Sequence, residues 1–169
     1  MRIVWLGCLL AACAANPKGA DLTGETIERT AAVYILADYE AVWSKLTTAD
    51  QFAAWYSMAG IAFPHEVDQE LEWGPAGRAM IRGTLRSIDK GSGFAHSFQF
   101  RGLGFDEEPE SEVVWEVVEQ GPVVLVRVRH TAKNAPETMA MIGDLGWPQS
   151  LNRLKTLLET GTPMPWPTK

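Results

Sequence analysis

Apolar and polar residues alternate near the start of the chain and then take on helical spacing. Between Thr26 and Ile35 apolar residues alternate with mostly polar ones, which is the period of a half-buried strand. Asp38 then precedes apolar residues at helical spacing up to Leu46, so a helix capped by Asp38 is predicted. A second short helix is predicted from Thr48 through Trp55.

The middle of the chain carries the pattern of two hairpins. Alternating segments at 77–88 and 94–100 flank a Lys-Gly-Ser-Gly turn, and alternating segments at 112–119 and 123–130 flank a Gln-Gly-Pro turn. Turn residues between alternating runs are typical of antiparallel hairpins. Residues 63–77 are irregular and are interpreted as turns around Glu70 to Trp73. The sequence therefore predicts a sequential antiparallel sheet.

The chain becomes helical after Ala135-Pro136. Three leucines at spacings of three and four lie on one stripe: Leu151, Leu154 and Leu158. Gly161 is expected to end this helix as a C′ glycine, and Pro148 to start or kink it. A strand, two short helices, antiparallel strands and a final helix make an α+β protein. Their order is that of the helix-grip fold, in which a curved antiparallel sheet wraps a long C-terminal helix.

The first thirteen residues have the pattern of a secretory signal. One positive charge precedes an apolar run too short to span a bilayer, and Leu10-Ala11-Ala12-Cys13 is similar to the bacterial lipobox, whose cysteine is acylated. The sequence predicts a signal peptide at 1–12, a tether at 13–25 with Cys13 lipidated, and a domain at 26–166. The protein would then be a membrane-anchored lipoprotein of the cell envelope. The alternative is an N-terminal extension ahead of a cytoplasmic domain.

Composition limits the remaining possibilities. A chain of 169 residues with 46% hydrophobic and 21% charged residues has room for one ordinary domain. A net charge of −6 with no long basic run argues against nucleic acid as a partner. Both cysteines precede residue 14, the three histidines are far apart, and phosphate-binding glycine motifs are lacking. We therefore expect no metal and no cofactor.

Several segments resemble one known family. They are Ala41-Val42-Trp43, Leu46-Thr47-Thr48, Trp55, Ser111 to Val117, Gly146-Trp147-Pro148 and Leu157 to Gly161. Together they resemble the activator-of-Hsp90-ATPase-homologue family of the START-like superfamily. The resemblance implies a helix-grip fold with a cavity against the last helix. In the eukaryotic co-chaperones of this family the domain works beside a separate N-terminal domain, for which this chain has no room.

The strand around His96 carries the main candidate site. A period of two places His96 on one face with three phenylalanines, and Trp115 and His130 lie on faces of the second hairpin. The resemblance places Met139, Met141 and Trp147 near the cavity mouth. The predicted ligand-binding residues are His96, Phe98, Phe100, Trp115, His130, Met139 and Trp147. Their composition is that of a small-ligand site with His96 as its polar anchor. The alternative is that His96 is a hydrogen-bonded core residue and His130 a rim residue.

Three classes of function follow from these residues. The first is a module that binds a small apolar molecule or lipid and touches a membrane through its lipid anchor alone. The second is an enzyme resembling polyketide cyclases, in which His96 or His130 would move protons. The third is a co-chaperone-like domain with a protein partner. No residue is assigned a catalytic role, and the fold cannot choose among the three because one fold hosts many activities.

Overall fold

The computed structural model describes residues 24–75, 78–102, 104–142 and 146–167. The helices are α1 (Tyr39–Thr47), a 3-10 helix (Ala49–Ala54), α2 (Pro136–Met141) and α3 (Trp147–Thr160). The strands are β1 (Thr26–Ile35), β2 (Gly60–Ala62), β3 (Glu70–Trp73), β4 (Ile81–Asp89), β5 (Gly93–Phe100), β6 (Ser111–Gln120) and β7 (Val123–Lys133). The predicted α+β fold is confirmed.

All seven strands form one curved antiparallel sheet in the order β1-β7-β6-β5-β4-β3-β2. The two predicted hairpins are present as β4–β5 and β6–β7. The two short strands β2 and β3 were not predicted: β3 lies within the irregular segment 63–77 and pairs with β4, and β2 pairs with β3. These two strands have three and four residues, too few for alternation to stand out from the turns around them.

The helices after β1 follow the predicted order, with one correction. The Asp38 backbone is extended, as at a helix N-cap, but its side chain makes no capping hydrogen bond. The segment after Thr48 is a 3-10 helix, which has three residues per turn. This tighter turn still buries Phe52.

The C-terminal helical region is divided. Pro148 lies in the first turn of α3, where a proline costs no helical hydrogen bond. Gly161 ends α3 with a left-handed φ of 79°, as predicted for a C′ glycine. The stripe of α3 is buried at Leu151 and Leu154, while Leu158 packs against the core from its margin. The shorter α2 precedes it as a separate helix.

The acidic run at 106–110 does more than face solvent. The Glu108 carboxylate accepts hydrogen bonds from the backbone amides of Glu137 (2.8 Å) and Thr138 (2.9 Å) at the start of α2. Burial acts to raise the pKa of Glu108, but hydrogen bonds from Thr138 and Glu137 lower it overall. The capped amide of Glu137 lies 29 residues further along the chain, so no local pattern of the sequence points to this contact.

The N-terminal predictions lie outside the described residues. Cys13 and the segment 1–12 fall in the part of the chain that the structure does not describe. Among the described residues no helix combines the length and the apolarity needed to cross a bilayer.

Candidate functional site

The register of the sheet brings the candidate side chains into two rows on its inner face. His96 on β5 lies opposite Val113 on β6, which lies opposite His130 on β7. In the next row Phe94 lies opposite Trp115. Directly opposed residues of antiparallel strands point to the same side, so these side chains all face the interior that α3 covers.

A small cavity lies between this face, the 3-10 helix and the start of α3. Its lining residues are Phe52, Tyr56, Trp73, Phe94, His96, Phe98, Trp115 and Trp147. Its volume is about 10 Å³, on a scale where one water molecule needs roughly 10–15 Å³. The interior is therefore filled almost completely by seven aromatic side chains and one imidazole.

The rings of the cavity wall contact one another in stacked and edge-on pairs. Trp115 stacks on Phe94 with ring centroids 5.5 Å apart and meets Trp147 edge-on at 5.3 Å. Trp147 in turn stacks on Tyr56 at 6.0 Å. Both arrangements are those that aromatic quadrupoles favour. The start of α3 is therefore joined to the sheet and to the segment after the 3-10 helix by aromatic contacts.

Both ring nitrogens of His96 have protein partners. The Trp115 Nε1–H donates to His96 Nε2 (3.1 Å), and an indole N–H can only donate. His96 Nε2 is therefore unprotonated, and the Nδ1–H donates to the Ser97 carbonyl (2.8 Å). Burial lowers the pKa of His96 to about 4, so the ring is neutral at physiological pH.

His130 belongs to a second chain of hydrogen bonds. Trp147 Nε1–H donates to His130 Nδ1 (3.1 Å), so the proton lies on Nε2, which donates to Ser111 Oγ (2.6 Å). The Ser111 hydroxyl then donates to the Phe98 carbonyl (3.0 Å). Burial first, and His96 second, lower the pKa of His130 to about 3. His130 is 0% exposed, which corrects the alternative that placed it at the rim.

The structure brings four of the seven predicted residues to the cavity: His96, Phe98, Trp115 and Trp147. His130 lies one layer behind it, against the rings of Phe98 and Trp147. Phe100 is buried and packs against Phe98 and Phe105 outside the lining. Met139 is buried in a separate cluster with Ala132 and Ala135. Met141 is 46% exposed.

Four residues of the wall are absent from the predicted set. Phe94 lies on the predicted face of β5 with His96, whereas Phe52, Tyr56 and Trp73 lie on other elements. Phe52 lies on the 3-10 helix, Tyr56 just after it, and Trp73 on β3. All three come from short elements without a readable period. The available signal was compositional, since four aromatic residues fall between Phe52 and Phe63 and one tryptophan lies in the turn-rich segment that follows.

No group of three or more His, Cys, Asp or Glu side chains that could hold a metal occurs within residues 24–75, 78–102, 104–142 and 146–167. His65 and Glu66 are exposed on a loop. The imidazoles of the interior are held by tryptophan indoles, which are donors and not metal ligands.

Comparisons with known proteins agree with this architecture. The family model described as "Activator of Hsp90 ATPase homolog 1-like protein" matches residues 37–159. A search of curated proteins found no significant match.

Solved structures with the same fold include CalU16 from Micromonospora echinospora, with 18% identity, a TM-score of 0.62 and coverage of 82% of this chain and 80% of CalU16. DynU16, from the dynemicin biosynthetic locus, has 20% identity and a TM-score of 0.65, with coverage of 80% and 48%. The Aha1 dimer from Colwellia psychrerythraea has 19% identity and a TM-score of 0.58, with coverage of 80% and 98%. At these identities the three structures support the fold alone.

Proposed function

The chain belongs to the activator of Hsp90 ATPase homolog 1-like family, and from this premise we propose that its helix-grip domain binds one small, flat, apolar molecule in the aromatic cavity. The observation that carries the proposal is the cavity itself, whose wall consists of aromatic rings from β3, β5, β6 and α3 together with Phe52 and Tyr56. Small-ligand sites are concave, mostly apolar and carry a few placed polar groups.

The aromatic wall favours a planar ligand. Trp115 presents its ring to Phe94 at a centroid distance of 5.5 Å and to Trp147 at 5.3 Å. A flat ring inserted among them would gain the same stacked and edge-on contacts. A flexible lipid chain would gain less from these faces and lose more conformational entropy when bound.

Binding requires the cavity to open. Its volume is about 10 Å³, which is roughly the room for one water molecule, whereas an engineered cavity that binds benzene measures roughly 150 Å³. The part of the wall with Phe52 and Tyr56 is the one that can move with least loss, because it consists of the six-residue 3-10 helix and the residues just after it and lies outside the sheet. We propose that the ligand separates Tyr56 from Trp147 and takes the space between them.

Two matched phenylalanine variants test the site. Phe52 and Phe100 are 3% and 2% exposed, and Phe52 lines the cavity while Phe100 lies outside it. Both proteins carry the same Phe→Leu change. Titration with a panel of one-ring and two-ring aromatic compounds should show affinities altered about fivefold or more in Phe52→Leu, because a ring contact worth roughly 1 kcal/mol is changed. Phe100→Leu should bind as the parent protein does.

Native mass spectrometry of freshly purified protein complements the titration. A retained small molecule in the parent protein that is absent from Phe52→Leu would support the proposal. No retained molecule, together with no saturable binding of any aromatic compound, would reject it and leave the co-chaperone-like protein partner as the proposal to pursue.

The enzymatic alternative meets a geometric requirement. For His96 or His130 to take a proton, Trp115 or Trp147 must first withdraw the indole N–H that now occupies the accepting nitrogen. The lowered pKa values, about 4 and about 3, also make both rings weak bases. These contacts favour binding over proton transfer.

Attachment to a membrane is a further part of the proposal. Its support is the segment Leu10-Ala11-Ala12-Cys13, which is similar to the lipobox. With Cys13 acylated and the tether at 13–25 behind it, the binding domain would lie at the membrane surface, where apolar molecules concentrate.

A further inference from the structure

The indole N–H of Trp73 is a buried hydrogen-bond donor, and no described protein group accepts a hydrogen bond from it. Trp73 is 4% exposed. In the described part of the chain, its Nε1 is the one buried side-chain nitrogen or oxygen with no hydrogen-bond partner. Buried polar groups are almost always paired, because an unpaired group loses its bonds to water without replacement. The orphaned N–H therefore calls for an explanation.

Three other buried indoles of this protein are paired. Trp55 Nε1–H donates to the Lys45 carbonyl (3.0 Å), while Trp115 and Trp147 donate to His96 and His130 (both 3.1 Å). The fold thus provides acceptors for indoles that stabilise it. Trp73 differs from these three in having none.

Trp73 lines the cavity, and the neighbouring His96 ring cannot accept a hydrogen bond from it. Its ring centroid is 5.3 Å from that of His96 and 5.7 Å from that of Phe52. His96 Nε2 already accepts from Trp115, and His96 Nδ1 carries a proton. Phe52 offers no lone pair. A molecule in the cavity, which Trp73 lines, can supply the missing acceptor.

We propose that the Trp73 indole N–H is the donor with which the cavity selects its ligand. The ligand is then a small aromatic molecule with a hydrogen-bond acceptor on its ring or next to it, such as an aryl ketone, and not a pure hydrocarbon. This inference rests on the proposed function. It moves the polar anchor that the sequence analysis expected at His96 to a residue of β3.

Two probes of equal shape test the inference. Acetophenone and α-methylstyrene differ in a carbonyl oxygen against a methylene group, so only the ketone accepts a hydrogen bond. Acetophenone should bind the full chain roughly 2- to 12-fold more tightly, which is the net effect of one neutral hydrogen bond. In spectra of protein with ¹⁵N-labelled tryptophan, the Trp73 Nε1–H resonance should move downfield with acetophenone and remain in place with α-methylstyrene.

A pair of variants assigns the effect to Trp73. Trp73→Phe removes the donor and should abolish the preference for the ketone while α-methylstyrene still binds. Trp55→Phe is the matched control, because Trp55 is fully buried, donates to a carbonyl and lies outside the cavity lining. It should keep the preference. If Trp73→Phe does not fold, the spectra of the parent protein still decide.

The outcomes separate the two proposals. Equal affinities for both probes with an unmoved Trp73 resonance would overturn the inference and leave the binding function standing. A ketone preference that persists in Trp73→Phe would also overturn it, since another donor would be responsible. No binding of either probe would overturn the inference together with the proposed function.

Discussion

At the scale of single residues, this interior is organised by indole–imidazole pairs. Trp115 donates to His96 and Trp147 donates to His130. Each pair joins a bulky ring that fills space to a polar ring that would otherwise be costly to bury. A polar group satisfied in this way is part of the core, so removing His96 should affect stability more than ligand choice.

The His96→Leu variant tests this role. It leaves the Trp115 N–H and the Ser97 carbonyl without their present partners, and each unpaired buried group costs about 1–3 kcal/mol. We expect the free energy of unfolding, measured in urea, to fall by about 2–6 kcal/mol. The same substitution at His65, which is exposed, should change it by less than about 0.5 kcal/mol. Unchanged stability in His96→Leu would mean that the two hydrogen bonds of His96 contribute little.

At the scale of elements, Glu108 joins the acidic loop to α2. Its carboxylate accepts from both Glu137 N and Thr138 N, amides that a helix leaves unpaired in its first turn. Since α2 has six residues, it depends on such external contacts rather than on its own propensity. The loop therefore holds α2, and with it Met139, against β7.

Glu108→Ala should lower the free energy of unfolding by about 0.5–2 kcal/mol, the range for loss of an N-terminal cap. Hydrogen exchange should rise most at the amides of Glu137 and Thr138. The control is Glu107→Ala, because Glu107 is an exposed neighbour in the same loop. Equal exchange in both variants would show that the cap does not stabilise α2.

At the scale of the whole molecule, the buried histidines predict a stability that depends on pH. Burial lowers the pKa of His96 to about 4 and that of His130 to about 3, from an ordinary value of about 6.5. Between pH 6.5 and 4 the unfolded chain therefore binds more protons than the folded one. The contribution is fully present above pH 6.5 and is lost as the pH falls, by about 1.4 kcal/mol per pH unit for each histidine.

Urea titrations at pH 7.0, 6.0 and 5.0 measure this slope. Most carboxylates titrate below this pH range, so the histidines dominate the change. The parent protein should lose about 2.7 kcal/mol per pH unit below 6.5, and His96→Leu about half of that, because one titrating ring remains. A flat profile between pH 6.5 and 5 would show that the histidines are not buried in the neutral form.

The lipid anchor is also a property of the whole molecule. We predict that the mature chain begins at an acylated Cys13 and that Cys13→Ala releases the protein from membranes. Cys8→Ala is the matched control and should leave attachment intact, because Cys8 lies inside the predicted signal. Intact mass and membrane fractionation of the parent protein and both variants in the native host test this prediction. A full-length, unacylated chain in the cytosol would contradict the prediction.

The sequence by itself determined the order of the main elements and the inward faces of the long strands. β1 matched its prediction from Thr26 to Ile35, and the alternation around His96 and Trp115 placed both side chains inside. Such patterns are legible because a strand of eight or more residues repeats its period several times. Gly161 was predictable as the end of α3 for a different reason, since the positive φ at this position favours glycine.

Only the tertiary structure decided which side chains meet. Phe52, Tyr56 and Trp73 reach the cavity from short elements whose position depends on the sheet, while Phe100, His130 and Met139 pack outside its lining. The tryptophans that donate to His96 and His130 lie 19 and 17 residues away along the chain. Hydrogen bonds across such separations depend on register and helix docking, and no local period of the sequence encodes them. The unpaired Nε1–H of Trp73 likewise follows from the tertiary structure alone, because only the packed interior shows which indoles have acceptors.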